Sequence, residues 1–235
     1  RGPYVPKPAY VSYAVLTRQL TGAQFDGKEE MGENIYSYRF LRSGQTVRTI
    51  WSMEPTTVTI ETAEPVTVTD LYGQETTLHP DDGNRIYLAL SGAPYYLAGN
   101  IDAIRSGSPF ELQGDAAFEG QDIQMKLIVD PSAQLPATAR LVIGGESYPI
   151  SVGSGENPEI SISVPWQDRG LGVKRFFGDI VADGQIIGRL LIDLEIKLPL
   201  TMEAIHALAD GQDVYRVKVR NVSPLDYEAE SIDWT

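Results

Sequence analysis

Residues 123–129, Ile123-Gln124-Met125-Lys126-Leu127-Ile128-Val129, decide the fold. Ile123, Met125, Leu127 and Val129 fall two apart, with Gln124 and Lys126 between them. That period gives a pleated strand one apolar face. It does not fit a helix, where apolar residues recur at three and four. Toward the C-terminus the pattern returns in Leu141 with Ile143, in Tyr148, Ile150 and Val152, and in Ile160, Ile162 and Val164. Two longer runs, Val173 to Val181 and Ile186 to Ile196, follow, with an Asp183-Gly184 hairpin turn between them. Counted from Phe110, this makes about seven short strands in about 90 residues, the content of one immunoglobulin-like sandwich.

The same period runs through the N-terminal side. Tyr36, Tyr38 and Phe40 alternate, then Val47, Thr49 and Trp51, Val58 with Ile60, Val66 with Val68, and Ile86, Leu88 and Leu90. Ser43-Gly44, Glu54-Pro55, Glu64-Pro65, Tyr72-Gly73 and Asp82-Gly83-Asn84 separate these runs as turns. Residues 100–109 carry Gly, Ser and Pro without periodicity and are predicted as a linker. Ahead of the strands, Tyr10, Tyr13, Ala14, Thr17 and Leu20 recur at three and four, predicting a helix from Ala9 to Leu20. Pro8 suits its first turn and Gly22 its stop. The expected fold is all-β: tandem antiparallel immunoglobulin-like β-sandwiches with one N-terminal α-helix. The expected divisions are 1–24 for the helix, 25–100 for the first sandwich, 101–198 for the second and 199–235 for a partial third β module. About 37 residues bury too little surface to stand alone. They either augment the second sandwich or open a third, and strand count favours the third.

Composition narrows the function. The chain has 235 residues with 19 Lys and Arg against 32 Asp and Glu, a formal charge of −13. Such an acidic excess argues against nucleic acid and anionic membrane surfaces as partners. No apolar run approaches the ~18 residues of a membrane span. There is no cysteine, hence no disulfide, thiolate metal site or cysteine nucleophile. Arg1-Gly2-Pro3 shows neither an initiator Met nor a signal-peptide pattern, which reads as a piece of a longer protein.

One set of motifs carries a resemblance. It comprises Pro8-Ala9-Tyr10-Val11-Ser12-Tyr13 with Leu16, Leu20 and Gly22-Ala23, then Tyr38-Arg39-Phe40, Ile50-Trp51-Ser52, Val68-Thr69-Asp70-Leu71-Tyr72-Gly73 and Pro94-Tyr95-Tyr96-Leu97. In this order, over residues 8–99, they resemble the junction between a catalytic (β/α)8 barrel and its C-terminal β-domain in bacterial glycoside hydrolases. The resemblance implies that residues 8–20 are the last barrel helix. It places both catalytic carboxylates on the barrel, outside this chain. It implies a non-catalytic accessory region, extracellular or on the cell surface, that stabilises and spaces the barrel in polysaccharide degradation. The catalytic barrel of the same polypeptide is then the expected partner, and polysaccharide a second one. Arg220-Asn221-Val222-Ser223-Pro224 with Ile232-Asp233-Trp234 resembles the early strands of an immunoglobulin-like module. The rival readings are a carbohydrate-binding module and an adhesive stalk. Exposed strand edges allow a dimer.

No residue constellation carries chemistry. The acids Asp81, Asp82, Asp168, Asp179, Asp193, Glu195, Glu228 and Glu230 offer carboxylate pairs, but thirty-two acids make chance pairs inevitable. Asp193 and Glu195 alternate with Leu194 and Ile196 and read as the solvent face of a strand. His79 and His206 stand far apart in sequence and form no triad or zinc site. His79 reads as a turn residue and His206 as partly buried or at an edge. The Asp81–Asn84 turn supplies about half the oxygens of a calcium loop. Gly144-Gly145, Gly153-Ser154-Gly155 and Gly170-Leu171-Gly172 lack the Lys-Ser/Thr of a phosphate loop. No cofactor or metal is predicted. Aromatic rings that could stack on sugars are the remaining candidates: Trp166 in a loop, and whichever of Tyr95 and Tyr96 faces outward. Trp51, in step with Val47, is read as core.

Overall fold

A computed structural model describes residues 7–133, 135–150, 159–167, 170–209 and 212–225. Among these residues helix α1 spans Pro8–Leu20, and nineteen strands follow. The first nine are β1 Gln24–Glu30, β2 Ile35–Arg42, β3 Gln45–Ser52, β4 Thr56–Glu61, β5 Val66–Thr69, β6 Glu75–Leu78, β7 Arg85–Leu90, β8 Tyr95–Ala98 and β9 Ala103–Ser106. Then come β10 Phe110–Gly114, β11 Ala117–Phe118, β12 Ile123–Val129, β13 Arg140–Ile143, β14 Glu146–Pro149, β15 Glu159–Val164, β16 Gly172–Ala182 and β17 Gln185–Lys197. The last two are β18 Leu200–Ala209 and β19 Gln212–Asn221. The chain is all-β apart from the helix, and it builds tandem antiparallel sandwiches.

The deciding stretch became β12, the middle strand of a three-stranded sheet ordered β10-β12-β15. Ile123, Met125, Leu127 and Val129 all point into a core, and Gln124 and Lys126 point away. Opposite lies β14-β13-β16-β17. Leaving out short β11, one sheet therefore holds the first, second and fifth strands of the module, and the other the fourth, third, sixth and seventh. That is an immunoglobulin-like sandwich. Short β11 runs parallel to the end of β17, with Ala117 beside Ile196. Asp183 and Gly184 both take positive φ between β16 and β17, as a two-residue hairpin turn requires.

The N-terminal half stacks a six-stranded sheet, β1-β2-β3-β8-β5-β6, on β7-β4-β9. Its core holds Ile50, Val58, Ile60, Val66, Leu88 and Leu97, among others. Residues 100–109 are not a linker throughout. They contain β9, which pairs with β4 from Val58↔Ser106 to Glu61↔Ala103. The local sequence gave no period because β9 is a four-residue edge strand whose Arg105 and Ser106 face solvent.

The two sandwiches share a sheet. β7 runs parallel to β17, with Tyr87 beside Gly188 and Leu88 beside Arg189. Eight strands of both halves thus form one continuous layer. Residues side by side in a parallel pair share a face. Leu88 faces the first core and Tyr87 the second. The outer sheets consequently pack on opposite faces of the shared layer.

Among the described residues, strands β18 and β19 pair only with each other, from Leu200↔Asn221 to Ala209↔Gln212.

Candidate functional site

The outer face of the six-stranded sheet is divided in two. Over the β8-β5-β6 half lies α1. Val15 and Gln19 are its buried residues, and Val15 packs at Gly73. Gln19 Nε2 donates to Thr69 Oγ1 at 3.3 Å. Arg18 pairs with Glu75 at 3.0 Å. Arg42 Nη1 donates to the carbonyls of Arg18 and Gln19 near the helix end. The apolar contact is narrow, because Tyr10, Tyr13 and Leu16 lie on the side turned from the sheet. Tyr10 is 70% exposed and Tyr13 68%.

The other half of that face, on β1-β2-β3, is aromatic. Tyr36 and Trp51 sit opposite each other in register and stack at 5.4 Å with 15° between planes. Tyr38 stacks on Trp51 at 5.6 Å and 25°. Phe25 meets Phe40 edge-on at 5.8 Å. Trp51 is half-buried in this strip, so its expected place in the core is corrected. The side chains of β3 that point inward are Arg48, Ile50 and Ser52. Arg48 Nε donates to Glu29 Oε1 at 3.1 Å and Nη2 to the Ile101 carbonyl at 3.2 Å. Ser37 Oγ donates to Glu29 Oε2 at 2.6 Å. Here the sheet turns the Arg48–Glu29 pair inward and its rings outward, the reverse of the pattern that hydrophobic periodicity assumes. The available signal was Ser37 and Arg39 alternating with Tyr36, Tyr38 and Phe40.

Near-parallel rings at this spacing overlap one another rather than lying side by side as tiles. Their faces are taken up by each other, as in other cross-strand aromatic pairs. The strip therefore clamps β1, β2 and β3 together. Trp51→Ala is expected to cost roughly 2–3 kcal/mol, below the range for a fully buried tryptophan. Urea unfolding measures that loss, and retardation in polysaccharide gels should stay at the wild-type value.

The predicted sugar-stacking residues do not come together. Tyr95 and Tyr96 are both buried, at 8% and 3% exposure, so the expectation that one faces outward is corrected. β8 lies between β3 and β5, with the first core on one face and the helix-covered face on the other. Tyr95 joins that core, and Tyr96 lies beside Thr49 and Thr69 beneath α1. Burial pushes both phenols above the ordinary tyrosine pKa. Trp166 is half-buried and packs against the second core, well away in the sequence and in another module. Its backbone N–H donates to Asp122 Oδ1 at 3.1 Å.

The seam between the sandwiches gathers the charged residues. Arg189 makes a bidentate pair with Asp179 at 2.7 and 3.0 Å and donates to Thr76 Oγ1 at 3.0 Å. Arg175 makes another with Asp193, at 2.8 Å twice, and donates to Ser91 Oγ at 2.9 Å. Each arginine thus ties the shared sheet to the first sandwich. The carboxylate hydrogen bonds push both guanidinium pKa values further up. The backbone N–H of His79 donates to the Ile186 carbonyl at 2.8 Å, so the predicted turn histidine also lies on this seam.

A cleft of about 540 Å3 opens beside the seam, lined by Thr57, Ser108, Glu111, Leu112, Leu191 and Asp193 among others. It holds two acids, as glycoside hydrolysis would require. Asp193 is already paired with Arg175, and Glu111 accepts from Gln113 Nε2 at 2.9 Å. No histidine lines the cleft. Of the other candidate acids, Asp179 pairs with Arg189 and Glu195 with Lys197, the latter at 3.0 Å. Asp81 Oδ1 accepts from the backbone of Gly83 and Arg85, and Oδ2 from Tyr87 Oη at 2.7 Å. Oxygens used in this way hold a turn and are not free for calcium. Asp168, Glu228 and Glu230 lie outside the described residues. His206 is exposed on an edge strand, not partly buried, tilted against Tyr215 and 2.8 Å from Asp213 Oδ1. No cluster of three metal-ligating side chains occurs among the described residues. No helix among them is long and apolar enough to cross a membrane.

No family model and no curated protein matches the chain. Among solved structures, it is similar to a D1-D4 ectodomain fragment of ICAM-5, with 11% identity over 87% of this chain and 90% of that one, at a TM-score of 0.29. A likeness that slight carries no argument, and the immunoglobulin-like sandwich of residues 110–197 rests on its own strand order and on the parallel β11–β17 pair.

Proposed function

We propose that this chain is a non-catalytic accessory region of a secreted bacterial glycoside hydrolase, holding and spacing a catalytic barrel carried by the same polypeptide. The observation that supports this reading is the two-sided character of α1. One side is fixed to the first sandwich through Val15, Gln19 and Arg18, while Tyr10 and Tyr13 remain largely in solvent. Exposed rings at three-residue spacing on a helix form a contact surface. A barrel seated on them would be joined through α1 to two sandwiches that share one sheet. The assembly would then stand as one stiff unit, which a spacer needs. A cell-surface adhesive stalk is the rival use of the same stiffness.

The test begins with the residues encoded directly upstream. A (β/α)8 barrel there with two convergent carboxylates supports the proposal; any other domain rejects it. With the barrel present, Tyr10→Ser combined with Tyr13→Ser should lower barrel stability by roughly 3–5 kcal/mol, from two lost aromatic burials. Calorimetry of the joined protein reads that loss. A barrel melting unchanged in the double variant would reject the docking role.

A further inference from the structure

Strand β17 is paired along the whole of one edge and only in part along the other. On the first edge β16 runs from Gly172↔Ile196 to Ala182↔Gln185. On the second, β7 pairs at Gly188 and Arg189, and β11 at Ile196 and Lys197, both parallel to β17. Between those two, no described strand pairs with residues 190–195. β7 leaves after Leu88. Its Ala89 and Leu90 stay paired with Thr57 and Thr56 of β4, and the next carbonyl, that of Ser91, accepts from the Ser52 N–H in the six-stranded sheet.

The space so opened is the cleft of about 540 Å3 beside the seam. Leu190, Leu191, Ile192 and Asp193 all line it, and residues 55–57, 107 and 108 of the first sandwich line it as well. Consecutive strand residues point to opposite faces. A cleft that touches four in a row therefore runs along the edge, where main-chain N–H and C=O groups stand. A second extended backbone is the ligand that meets such a row throughout its length.

An extended segment parallel to β17 would bridge from β7 to β11 in one direction. Its residues beside Leu190, Ile192 and Leu194 would turn to the second core, to which all three belong or against which they pack. Those beside Leu191, Asp193 and Glu195 would turn to the wetter face, where two of the three neighbours are acids. Glu111, in the cleft wall, accepts from the neutral Gln113 and keeps its charge. The residues that line the cleft include no Lys or Arg. A second copy of this chain, at −13, would bring like charge to like.

We infer that this cleft is a strand-addition site for an extended segment of a different protein, in which apolar and basic residues alternate, laid parallel to β17 over residues 190–195. The inference goes beyond the accessory reading and does not depend on it.

The probe is a labelled hexapeptide, acetyl-Val-Lys-Val-Lys-Val-Lys-amide, titrated with the full chain and followed by fluorescence anisotropy. Saturable binding is expected, and the Val-Glu counterpart should bind at least tenfold more weakly. N-methylating alternate peptide amides should weaken binding about tenfold in the frame that faces β17 and little in the other frame. Bound peptide should protect amides within 190–195 from hydrogen exchange. Thr57→Trp fills the cleft from its far wall and should abolish binding. Glu111→Lys, at an exposed strand position, should weaken the Lys peptide about fivefold and strengthen the Glu peptide, and it decides the matter if Thr57→Trp fails to fold. No saturable binding would overturn the inference. So would equal losses in both methylation frames, or binding that survives in a folded Thr57→Trp variant or is indifferent to Glu111→Lys. Protection of 190–195 that grows with protein concentration in the absence of peptide would assign the edge to a second copy and overturn the different-protein occupant.

Discussion

Tyr87→Ala is expected to destabilise the chain by about 4–6 kcal/mol, combining aromatic truncation in a core with the loss of a buried hydrogen bond. The size follows from where the ring sits. Tyr87 belongs to β7, a strand of the first sandwich, yet it is fully buried in the core of the second. It packs edge-on against Phe110 at 4.9 Å and 78°, where the second sandwich begins. Its hydroxyl donates to Asp81 Oδ2 at 2.7 Å, and the Asp81 carboxylate is itself fully buried. Desolvation, reinforced by that carboxylate, drives the phenol pKa strongly upward. Tyr87→Phe keeps the ring and removes only the hydroxyl, so about 1–2 kcal/mol should be lost. The decisive reading is the location of the damage. Unfolding followed by exchange of the Leu127 and Ile180 amides, both deep in the second sandwich, should report the loss from a residue of the first. Damage confined to residues 25–106 would show that Tyr87 does not join the two cores.

The sequence made the strands legible wherever one face was apolar and the other wet. β12 is the clearest case, since Lys126 and Gln124 mark its outer face and the core absorbs the rest. It failed where that assumption failed. Trp51 reads as core because it alternates in step with Val47, whereas Arg48, Glu29 and Ser37 fill the inner side through mutual hydrogen bonds. A buried ion network satisfies its own polar atoms, and no periodicity of hydrophobic residues records it. Tyr95 and Tyr96 failed for a related reason. Alternation implies one outward residue only when the outer face is open, and α1 covers it from more than seventy positions away. The seam was invisible for want of any local signal. Gly188 and Tyr87 meet across about a hundred residues, and a glycine within a strand is locally only a weak strand former.

That glycine supports the second large prediction. Gly188→Val is expected to cost about 3 kcal/mol, at the upper end of overpacking penalties. A Cβ at Gly188 would stand 3.0 Å from Tyr87 Cβ and 3.1 Å from the Tyr87 carbonyl oxygen. Both neighbours belong to the paired strand, and neither is a flexible chain end that could swing aside. Valine adds two more carbons in the same direction, and the parallel pair must open to admit them. Only Gly188↔Tyr87 and Arg189↔Leu88 hold that pair in register. Opening it leaves Ile186 against the first core and, as polar ties, Arg189 to Thr76, Arg175 to Ser91, and His79 to Ile186. Those polar contacts would then be exposed to water and worth little each. The sandwiches should uncouple, so that a single calorimetric transition becomes two and the radius of gyration increases. Gly184→Ala is the control. Gly184 has φ +79° with nothing within 4 Å, so its substitution strains a turn without touching the seam. It should lower the melting temperature while leaving one transition. One transition in Gly188→Val, with stability within about 0.5 kcal/mol of wild type, the spread of an ordinary surface substitution, would mean that the two halves are not held by this pair of strands.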